Sequence, residues 1–450
     1  MKQRTLKALT TTLLLSILAA VCTGQSASGG LAPATVHLRT RVAVPDMPGG
    51  FRFACQTEQW NPSETAIIIC DMWDRHWCQG ASRRVAELAP QIDRVATIAR
   101  DKGILIIHAP SDTIGHYGDY PGRKIAKDAP RAANLPEGID RWCHWKDDIE
   151  REAGYPIDHS DGGCDCRPRC PESQPWTRQI DTIKIKDNDA ISDSGVEIWN
   201  LLEQRKIKNV ILMGVHTNMC VLGRPFGLRN LSRFGKNVVL MRDLTDAMYN
   251  SAMPPGVSHF TGVDLVVGHV EQFVCPTIAS TDLTGQPPFR FKEDQRPLVV
   301  FLSAESEYSA AETLPDFARE LEFEHGLACQ VLQGSTEKAG PDRHEISGME
   351  ILAHADLAPG VVQVEADPAH VPLERLLVSD VGPAVLDRPL EPGRPELPLV
   401  DDRVVAGGEH VLVEALVDQL VGHHLGRFPP LGCRFLLEHL RPEDVVDVAV

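Results

Sequence analysis

The arrangement of apolar segments is the feature that most limits how this chain can fold. A short, wholly apolar run at Ala66–Cys70 and a second buried strand at Ile104–His108 flank a longer segment with helical spacing, Val85–Arg100. Strands that are buried on both faces have continuous apolar sequences, and helices must cover both faces of the parallel sheet that they form. The sequence therefore predicts an α/β fold with a doubly wound, mostly parallel sheet and helices on both faces.

The same pattern continues through most of the N-terminal half and places the first domain at 60–280. Further predicted elements are strands at Asn209–Gly214, Asn237–Met241 and Asp264–Val267, and a helix at Val221–Phe234. Residues 109–180 interrupt the alternation, and a long insertion of this kind is usually a lid or the edge of a binding site. Residues 31–62 have a mixed pattern and are expected to wrap onto this domain.

A polar, proline-containing linker at 281–297 precedes a second α/β pattern at 298–356. Its predicted elements are a strand at Leu298–Leu302, a helix at Glu312–His325 and a strand at Ala328–Leu332. The pattern predicts a partial second domain.

The tail at 357–450 differs from the rest in composition, since it contains no isoleucine, lysine, threonine, asparagine, tyrosine or tryptophan. Two interpretations stay open: a degenerate or out-of-frame continuation of an interrupted domain, and a small subdomain with biased residue usage.

The N-terminus has the layout of a secretory signal peptide, expected at 1–28. Three basic residues (Lys2, Arg4 and Lys7) precede the mostly apolar stretch Ala8–Val21. That stretch is shorter than the roughly 20 residues of a membrane span. We therefore expect a secreted or periplasmic protein with no stable membrane span once the signal is removed; an uncleaved anchor is the alternative.

Charge and cysteine content narrow the classes of partner and compartment. The formal net charge of −17 argues against nucleic acid as a partner. Twelve cysteines fit an exported, oxidised protein better than a cytosolic one. Cys164, Cys166 and Cys170 form a C-x-C-x3-C group, which could bind a metal. In an exported chain, disulfides are the favoured interpretation.

Two reactive side chains follow buried strands. Asp71 ends the strand Ala66–Cys70, and Cys220 lies just after the strand Asn209–Gly214. The carboxyl ends of such strands share one edge of the sheet, where sites form in doubly wound folds. A thiol near a helix N-terminus or a cation is activated as a nucleophile, and a carboxylate can accept its proton. Taken singly, the cysteine is better explained as a buried structural thiol, and the aspartate can be explained as a helix cap or a turn residue.

The segments IIICDMWD and GVHTNMCV, which contain Asp71 and Cys220, resemble the isochorismatase-like cysteine hydrolases over about residues 60–280. That family includes the nicotinamidases. The resemblance implies that Cys220 is the nucleophile and Asp71 its general base. It also implies a lysine in the site, for which Lys186 is the first choice and Lys184 the reserve.

The same resemblance implies a cis peptide between Val215 and His216, with backbone amides that would bind an oxyanion. Nicotinamidases carry a metal held by aspartate and histidines. The nearest candidates are Asp112 and His116, with His108 at a strand end, and their spacing does not reproduce the family's cluster. The sequence therefore predicts no metal and no cofactor.

The function that the resemblance implies is hydrolysis of a small amide by an exported cysteine hydrolase with an Asp71–Lys186–Cys220 triad. One alternative is vinyl ether hydrolysis of the isochorismatase type, led by Asp71. The other is a non-catalytic secreted binding module built on the same fold. The expected partner is a small-molecule substrate, and assembly into a homo-oligomer is left as a further possibility.

The second domain has a resemblance of its own. The segment that begins PLVVFLSAESEYSAAETLPDFARELE at Pro297 resembles the start of a trehalose-utilisation-type domain, which is related to the class I glutamine amidotransferase fold. Cys329 lies inside a predicted strand of this segment, where a packing role is expected.

Overall fold

The structure is a computed structural model that describes residues 32–45, 50–303, 310–340, 343–346, 348–355 and 360–361. The expected signal peptide at 1–28 and all but two residues of the tail at 357–450 lie outside the described residues. Among the helices that the structure describes, none is both long and apolar enough to cross a membrane.

The described chain forms strands in two sheets. The strands are β1 (Ala34–Ala43), β2 (Phe51–Trp60), β3 (Thr65–Cys70), β4 (Leu105–Ala109), β5 (Ala190–Ile191), β6 (Asn209–Val215), β7 (Asn237–Asp246), β8 (Thr277–Ile278), β9 (Leu298–Ser303), β10 (Ala328–Gly340), β11 (Arg343–Ile346) and β12 (Gly360–Val361).

Helices connect most of these strands. They are α1 (Gln79–Asp101), α2 (Pro121–Lys127), α3 (Asp148–Ala153), α4 (Gly195–Gln204), α5 (Leu228–Arg233), α6 (His259–His269), α7 (Thr281–Thr284) and α8 (Ala310–His325). Two π-helical turns, at Thr217–Val221 and Val270–Val274, complete the larger domain.

The larger sheet has eight strands in the order β2-β1-β8-β7-β6-β3-β4-β5. The six strands from β8 to β5 are parallel, and the antiparallel hairpin β1–β2 extends the β8 edge. From β3 the chain winds outward through β4 and β5, then returns to β6 beside β3 and winds the other way. The predicted doubly wound, mostly parallel α/β class is therefore confirmed, and the direction of winding reverses between β3 and β6.

Both faces of the sheet are buried, which explains the unbroken apolar runs. Ile67 and Ile69 of β3 lie in the core that contains Leu88 of α1, whereas Ile68 lies in the core of the opposite face with Leu201 of α4. Because successive strand residues point to opposite faces, each residue of β3 is removed from water by one helical layer or the other.

Three features of the sequence interpretation need correction. The predicted strand Asp264–Val267 lies inside α6, whose start at Ser258 is capped when the serine side chain accepts the Thr261 N–H. A short apolar run fits a buried helix as well as a strand, and only the cap distinguishes them. The predicted helix Val221–Phe234 is divided into the π-turn and α5. The hairpin β1–β2 was not predicted as strands.

The favoured disulfides are not formed in the described part of the chain. All ten cysteines there are free thiols, including Cys143, Cys164, Cys166 and Cys170 of the insertion. The Sγ atoms of Cys78 and Cys166 lie 3.8 Å apart, far beyond the bond length of about 2.05 Å in a disulfide.

The smaller sheet has the order β11-β10-β9-β12. Its strands β9 and β10 correspond to the two strands predicted at 298–356, and α8 corresponds to the predicted helix. Phe51 and Phe53 of β2 pack with Val299 of β9 and Leu321 of α8 in one apolar cluster. The hairpin β1–β2 therefore contributes to the larger sheet through backbone pairing and to the smaller one through its side chains.

A buried carboxylate fixes the insertion at 109–180 to the helices of the larger domain. Glu150 of α3 is fully buried. Its Oε1 accepts a hydrogen bond from Arg229 Nη2 of α5 (2.7 Å) and lies 2.9 Å from Nε2 of His269 in α6. Hydrogen bonds from His269 and Arg229, which outweigh the burial cost, lower the pKa of Glu150 to about 2.

We expect Glu150→Gln to destabilise the protein by roughly 3 kcal/mol or more, because the change leaves the buried Arg229 guanidinium without its counter-charge. Because the pKa of Glu150 lies below its ordinary 4.5, the stabilisation is complete above that value and declines as the pH falls towards 2. The difference in the free energy of unfolding between wild type and variant should therefore become smaller at acidic pH. Urea unfolding at several pH values measures this difference.

The matched control is Asp148→Asn on the same helix, whose ion pair with Arg151 is exposed on both sides. It should change the free energy of unfolding by less than about 1 kcal/mol. Equal unfolding midpoints for Glu150→Gln and Asp148→Asn at neutral pH would contradict this role for Glu150.

Candidate active site

The centre of the larger sheet brings two chain segments together where the winding direction reverses. Cys70 at the end of β3 pairs in register with Gly214 of β6. Gly214 has φ +113°, and a Cβ there would lie 2.2 Å from the carbonyl oxygen of Cys70. Only glycine therefore allows β6 to approach β3 this closely, and the residues that follow both strands meet at one edge of the sheet.

Asp71 is held in an uncommon backbone conformation directly after β3. Its φ is +47°, in the left-handed region that aspartate tolerates better than most residues. The Asp71 N–H donates to the carbonyl of Ala109 (3.1 Å), and the side-chain Oδ1 accepts the N–H of Ser111 (2.7 Å). The neighbouring strand β4 thus fixes both the backbone and the carboxylate of Asp71.

Cys220 lies in the π-turn Thr217–Val221 that follows β6. The peptide bond between Val215 and His216 is cis, the conformation that the resemblance implied. Side chains within the turn anchor it to the end of β7: Thr217 Oγ1 donates to the Asp246 carbonyl (3.0 Å), and Asn218 exchanges two 2.9 Å hydrogen bonds with the backbone of Met248. The polar residues between Gly214 and Cys220 therefore fix the position of the thiol.

The Cys220 thiol and the Asp71 carboxylate form a buried, interacting pair, with exposed fractions of 8% and 0%. Burial, followed by the negative charge of Asp71, raises the pKa of the Cys220 thiol well above its ordinary value. Burial also raises the pKa of Asp71, against the opposing effects of Arg224, Cys220 and Ser111. Both shifts favour a protonated thiol, whereas the sequence suggested a thiolate stabilised by a cation or a helix N-terminus.

Arg224 is the cation that contacts this pair. It lies one turn after Cys220, and its Nε is 3.3 Å from Asp71 Oδ2 while Nη2 is 3.0 Å from Asp112 Oδ2. Its guanidinium carbon is also 5.7 Å from the ring centre of Trp142, a residue of the insertion. Arg224 was not proposed from the sequence; its position four residues after the cysteine was the signal that could have identified it.

The two candidate lysines lie elsewhere. Both Lys186 and Lys184 are exposed. The backbone N–H of Lys186 donates to Asp189 (2.7 Å), and the ammonium of Lys184 donates to the carbonyl of Asp181 (2.7 Å). The structure thus brings Asp71 and Cys220 together, but it places a different cation beside them.

A second thiol, also missed from the sequence, touches the pair. Cys70 is fully buried and interacts with Asp71. Burial, then the charges of Asp71 and Cys220, raise the pKa of Cys70 well above its ordinary value. Its position directly before the aspartate was the only sequence signal. Any chemical labelling of Cys220 must therefore be distinguished from labelling of Cys70.

The residues considered for a metal near Asp71 do not fit one. His108 uses both ring nitrogens within the protein, at 2.9 Å from Gln179 Oε1 and 3.1 Å from Asp189 Oδ2. Asp112 pairs with Arg224, and His116 is exposed. A metal-binding imidazole needs a free nitrogen, which His108 does not offer.

Aromatic rings lie beside the cis peptide. The ring centres of Trp73 and Trp176 are 4.6 Å apart in a stacked arrangement, and His76 stacks on the same group. The ring of His76 is 5.0 Å from that of His216. Burial lowers the pKa of His216 well below its ordinary value, so this imidazole is neutral. The surface beside the cis peptide is therefore aromatic, with a neutral imidazole.

Comparison with known proteins gives similarities in structure only. No family model matches the chain, and no curated protein matches it. Three solved structures overlap 49% of the chain: a cysteine hydrolase from Pseudomonas syringae pv. phaseolicola (16% identity, 91% of its length, TM-score 0.30), an isochorismatase family protein from Burkholderia thailandensis (12%, 94%, 0.28) and one from Desulfovibrio vulgaris (15%, 97%, 0.27).

None of these comparisons supports the resemblance of residues 297–356 to a trehalose-utilisation-type domain. The fold class is assigned from the strand order itself.

Proposed function

We propose that this protein is an exported cysteine hydrolase of the isochorismatase-like type that cleaves a small amide through a thioester on Cys220. The observation that carries the proposal is the burial of Cys220 and Asp71 side by side after the paired strands β6 and β3, at the point of the sheet where doubly wound folds bind ligands. The motif resemblance supplies the reaction class, and the expected signal peptide at 1–28 supplies the export.

In the first step, Cys220 Sγ attacks the amide carbonyl carbon while Asp71 takes the thiol proton. Because the pKa of Asp71 is raised by burial, its carboxylate is a stronger base than an exposed aspartate. The carbonyl π electrons move to oxygen and give a tetrahedral oxyanion. When that intermediate collapses, Asp71 returns the proton to the leaving nitrogen, and an acyl-thioester on Cys220 remains.

In the second step, water attacks the thioester carbonyl and Asp71 accepts one of its protons. Collapse breaks the C–S bond, the proton returns to sulfur, and the carboxylic acid leaves. The net reaction is amide plus water to acid plus amine, with no other reactant. Asp71 thus acts first as a general base and then as a general acid, and a carboxyl group of raised pKa can do both.

The oxyanion would be bound by backbone amides of the π-turn. The N–H groups of Met219 (2.9 Å) and Val221 (3.2 Å) both donate to the carbonyl of His216, so they are already used. The N–H of Cys220 lies between them on the turn and is the first candidate donor. Preorganised backbone donors of this kind contribute roughly 3 kcal/mol each to transition-state stabilisation.

We expect Cys220→Ser and Asp71→Asn each to lower amide turnover by roughly 10³-fold or more, because each removes one half of the proton-transfer pair. The measurement is ammonia release from a panel of small primary amides. Wild-type enzyme, but not Cys220→Ser, should also yield a hydroxamate when hydroxylamine is added, since hydroxylamine attacks the acyl-thioester and the variant lacks the thiol that forms it.

The matched control is Cys55→Ser, at an exposed thiol on β2 of the same sheet. It should turn over as wild type does. Ether hydrolysis that survives Cys220→Ser would instead favour the Asp71-led alternative. A wild-type chain that hydrolyses neither class and whose Cys220 reacts with iodoacetamide no faster than free cysteine would favour the binding module.

We expect Arg224→Gln to move the acidic limb of the kcat/KM profile to higher pH by about one unit or more. Arg224 lowers the pKa of Asp71, so its removal raises that pKa, and the base becomes active only at higher pH. Lys186→Gln should leave the limb in place. The opposite result, with a shift for Lys186→Gln and none for Arg224→Gln, would restore Lys186 as the cation of the site.

A further inference from the structure

Four cysteine side chains converge at the N-terminus of α1, outside the site described above. Cys78 is the N-cap of this 23-residue helix, and Cys164, Cys166 and Cys170 come from the insertion more than 80 residues away in sequence. The Sγ atoms of Cys78, Cys164 and Cys166 all lie within 4.8 Å of one another. Cys170 completes the group through side-chain contacts with Cys164 and Cys166.

The spacing of these sulfurs fits one metal ion. The Cys78–Cys166 distance is 3.8 Å. Zinc–thiolate bonds of about 2.3 Å in tetrahedral geometry place neighbouring sulfurs about 3.8 Å apart. A disulfide would bring only two of the four sulfurs to bonding distance, and the described cysteines are all free thiols. Cys78, Cys164 and Cys166 therefore have the spacing of three ligands to one ion, and Cys170, whose sulfur accepts an N–H of the same helix end, is the candidate fourth ligand.

Backbone amides of the first turn of α1 point at two sulfurs of the group. Cys166 Sγ accepts the N–H of Gly80 (3.2 Å), and Cys170 Sγ accepts the N–H of Gln79 (3.5 Å). Donors placed around several sulfurs stabilise thiolates and orient them as ligands.

Charges of both signs surround the group: the Asp165 carboxylate lies 3.7 Å from Cys78 Sγ, and the buried guanidinium of Arg84 pairs with it at 2.8 Å. The first amides of α1 are the positive end of a long helix dipole. The sequence between the ligands, CRPRC at 166–170, adds two arginines that can offset the negative charge of four thiolates around a divalent cation. These observations are independent of the sulfur–sulfur distances.

We propose that Cys78, Cys164, Cys166 and Cys170 bind one Zn²⁺ ion, which ties the insertion to the start of α1. The ion forms four Zn–S bonds, and the thiols release their protons to solvent, with no change in oxidation state. All four positions are filled by protein, so the site is structural and binds no substrate. It lies apart from the Asp71–Cys220 pair and does not depend on the function proposed for it.

The test starts with the full chain purified under reducing conditions in zinc-containing medium. Elemental analysis should find about one zinc per chain. Replacement by Co²⁺ should give a thiolate-to-cobalt charge-transfer band and the intense visible bands of a tetrahedral site. Cys170→Ser, at a half-buried ligand, should weaken zinc binding in a chelator competition by at least about tenfold.

The matched control is Cys143→Ser, also in the insertion, whose thiol donates to the Trp145 carbonyl and can be replaced there by a hydroxyl. It should bind zinc as wild type does. A wild-type chain that takes up neither zinc nor cobalt, or disulfides among these four cysteines in the protein isolated without reductant, would overturn the proposal. So would zinc content that Cys170→Ser and Cys166→Ser leave unchanged.

Discussion

The pairing of β3 with β6 is the constraint on which the rest of this structure depends. Every residue of β3 is buried, and the two strands run in register up to the contact between Cys70 and Gly214. This close approach leaves the next residues no freedom: Asp71 turns into the left-handed region, and the chain after β6 enters a π-turn. The carboxylate and the thiol meet because two central strands end together, so a change that separated these strands would also separate the pair.

The buried carboxylate of Asp71 determines the chemistry available at this edge of the sheet. Removing a carboxylate from water is costly unless other groups compensate, and here the Ser111 N–H, the Cys220 thiol and Arg224 do so. The compensation is incomplete, because the pKa of Asp71 is still raised. A base of raised pKa suits proton transfer from a thiol that itself holds its proton tightly. The structure thus favours a thiolate formed during attack over one formed in advance.

The sequence predicted what depends on local pattern and missed what depends on distant contacts. The apolar runs identified β3, β4 and β6, and the residues after them identified Asp71 and Cys220. The short run Asp264–Val267 has no strand or helix period of its own, and its place in α6 follows from the cap at Ser258. The spacing of four residues from Cys220 makes Arg224 a candidate, but spacing alone does not choose it over Lys186, because the choice depends on which cation the turn after Cys220 directs towards Asp71.

The loop between Asp71 and Cys78 links the two sites of this molecule. At one end, the Trp73 N–H donates to the Asp71 carbonyl; at the other, the Cys78 N–H donates to His76 Nδ1. The stacked rings of Trp73 and His76 lie between these anchors. A metal ion on Cys78 would restrain the far end of this loop and hold the rings in place without touching Asp71 or Cys220. Loss of the ion should therefore weaken binding of the proposed substrate and raise KM, while proton transfer within the pair and kcat change less. A raised KM with little change in kcat distinguishes a positioning role from a catalytic one.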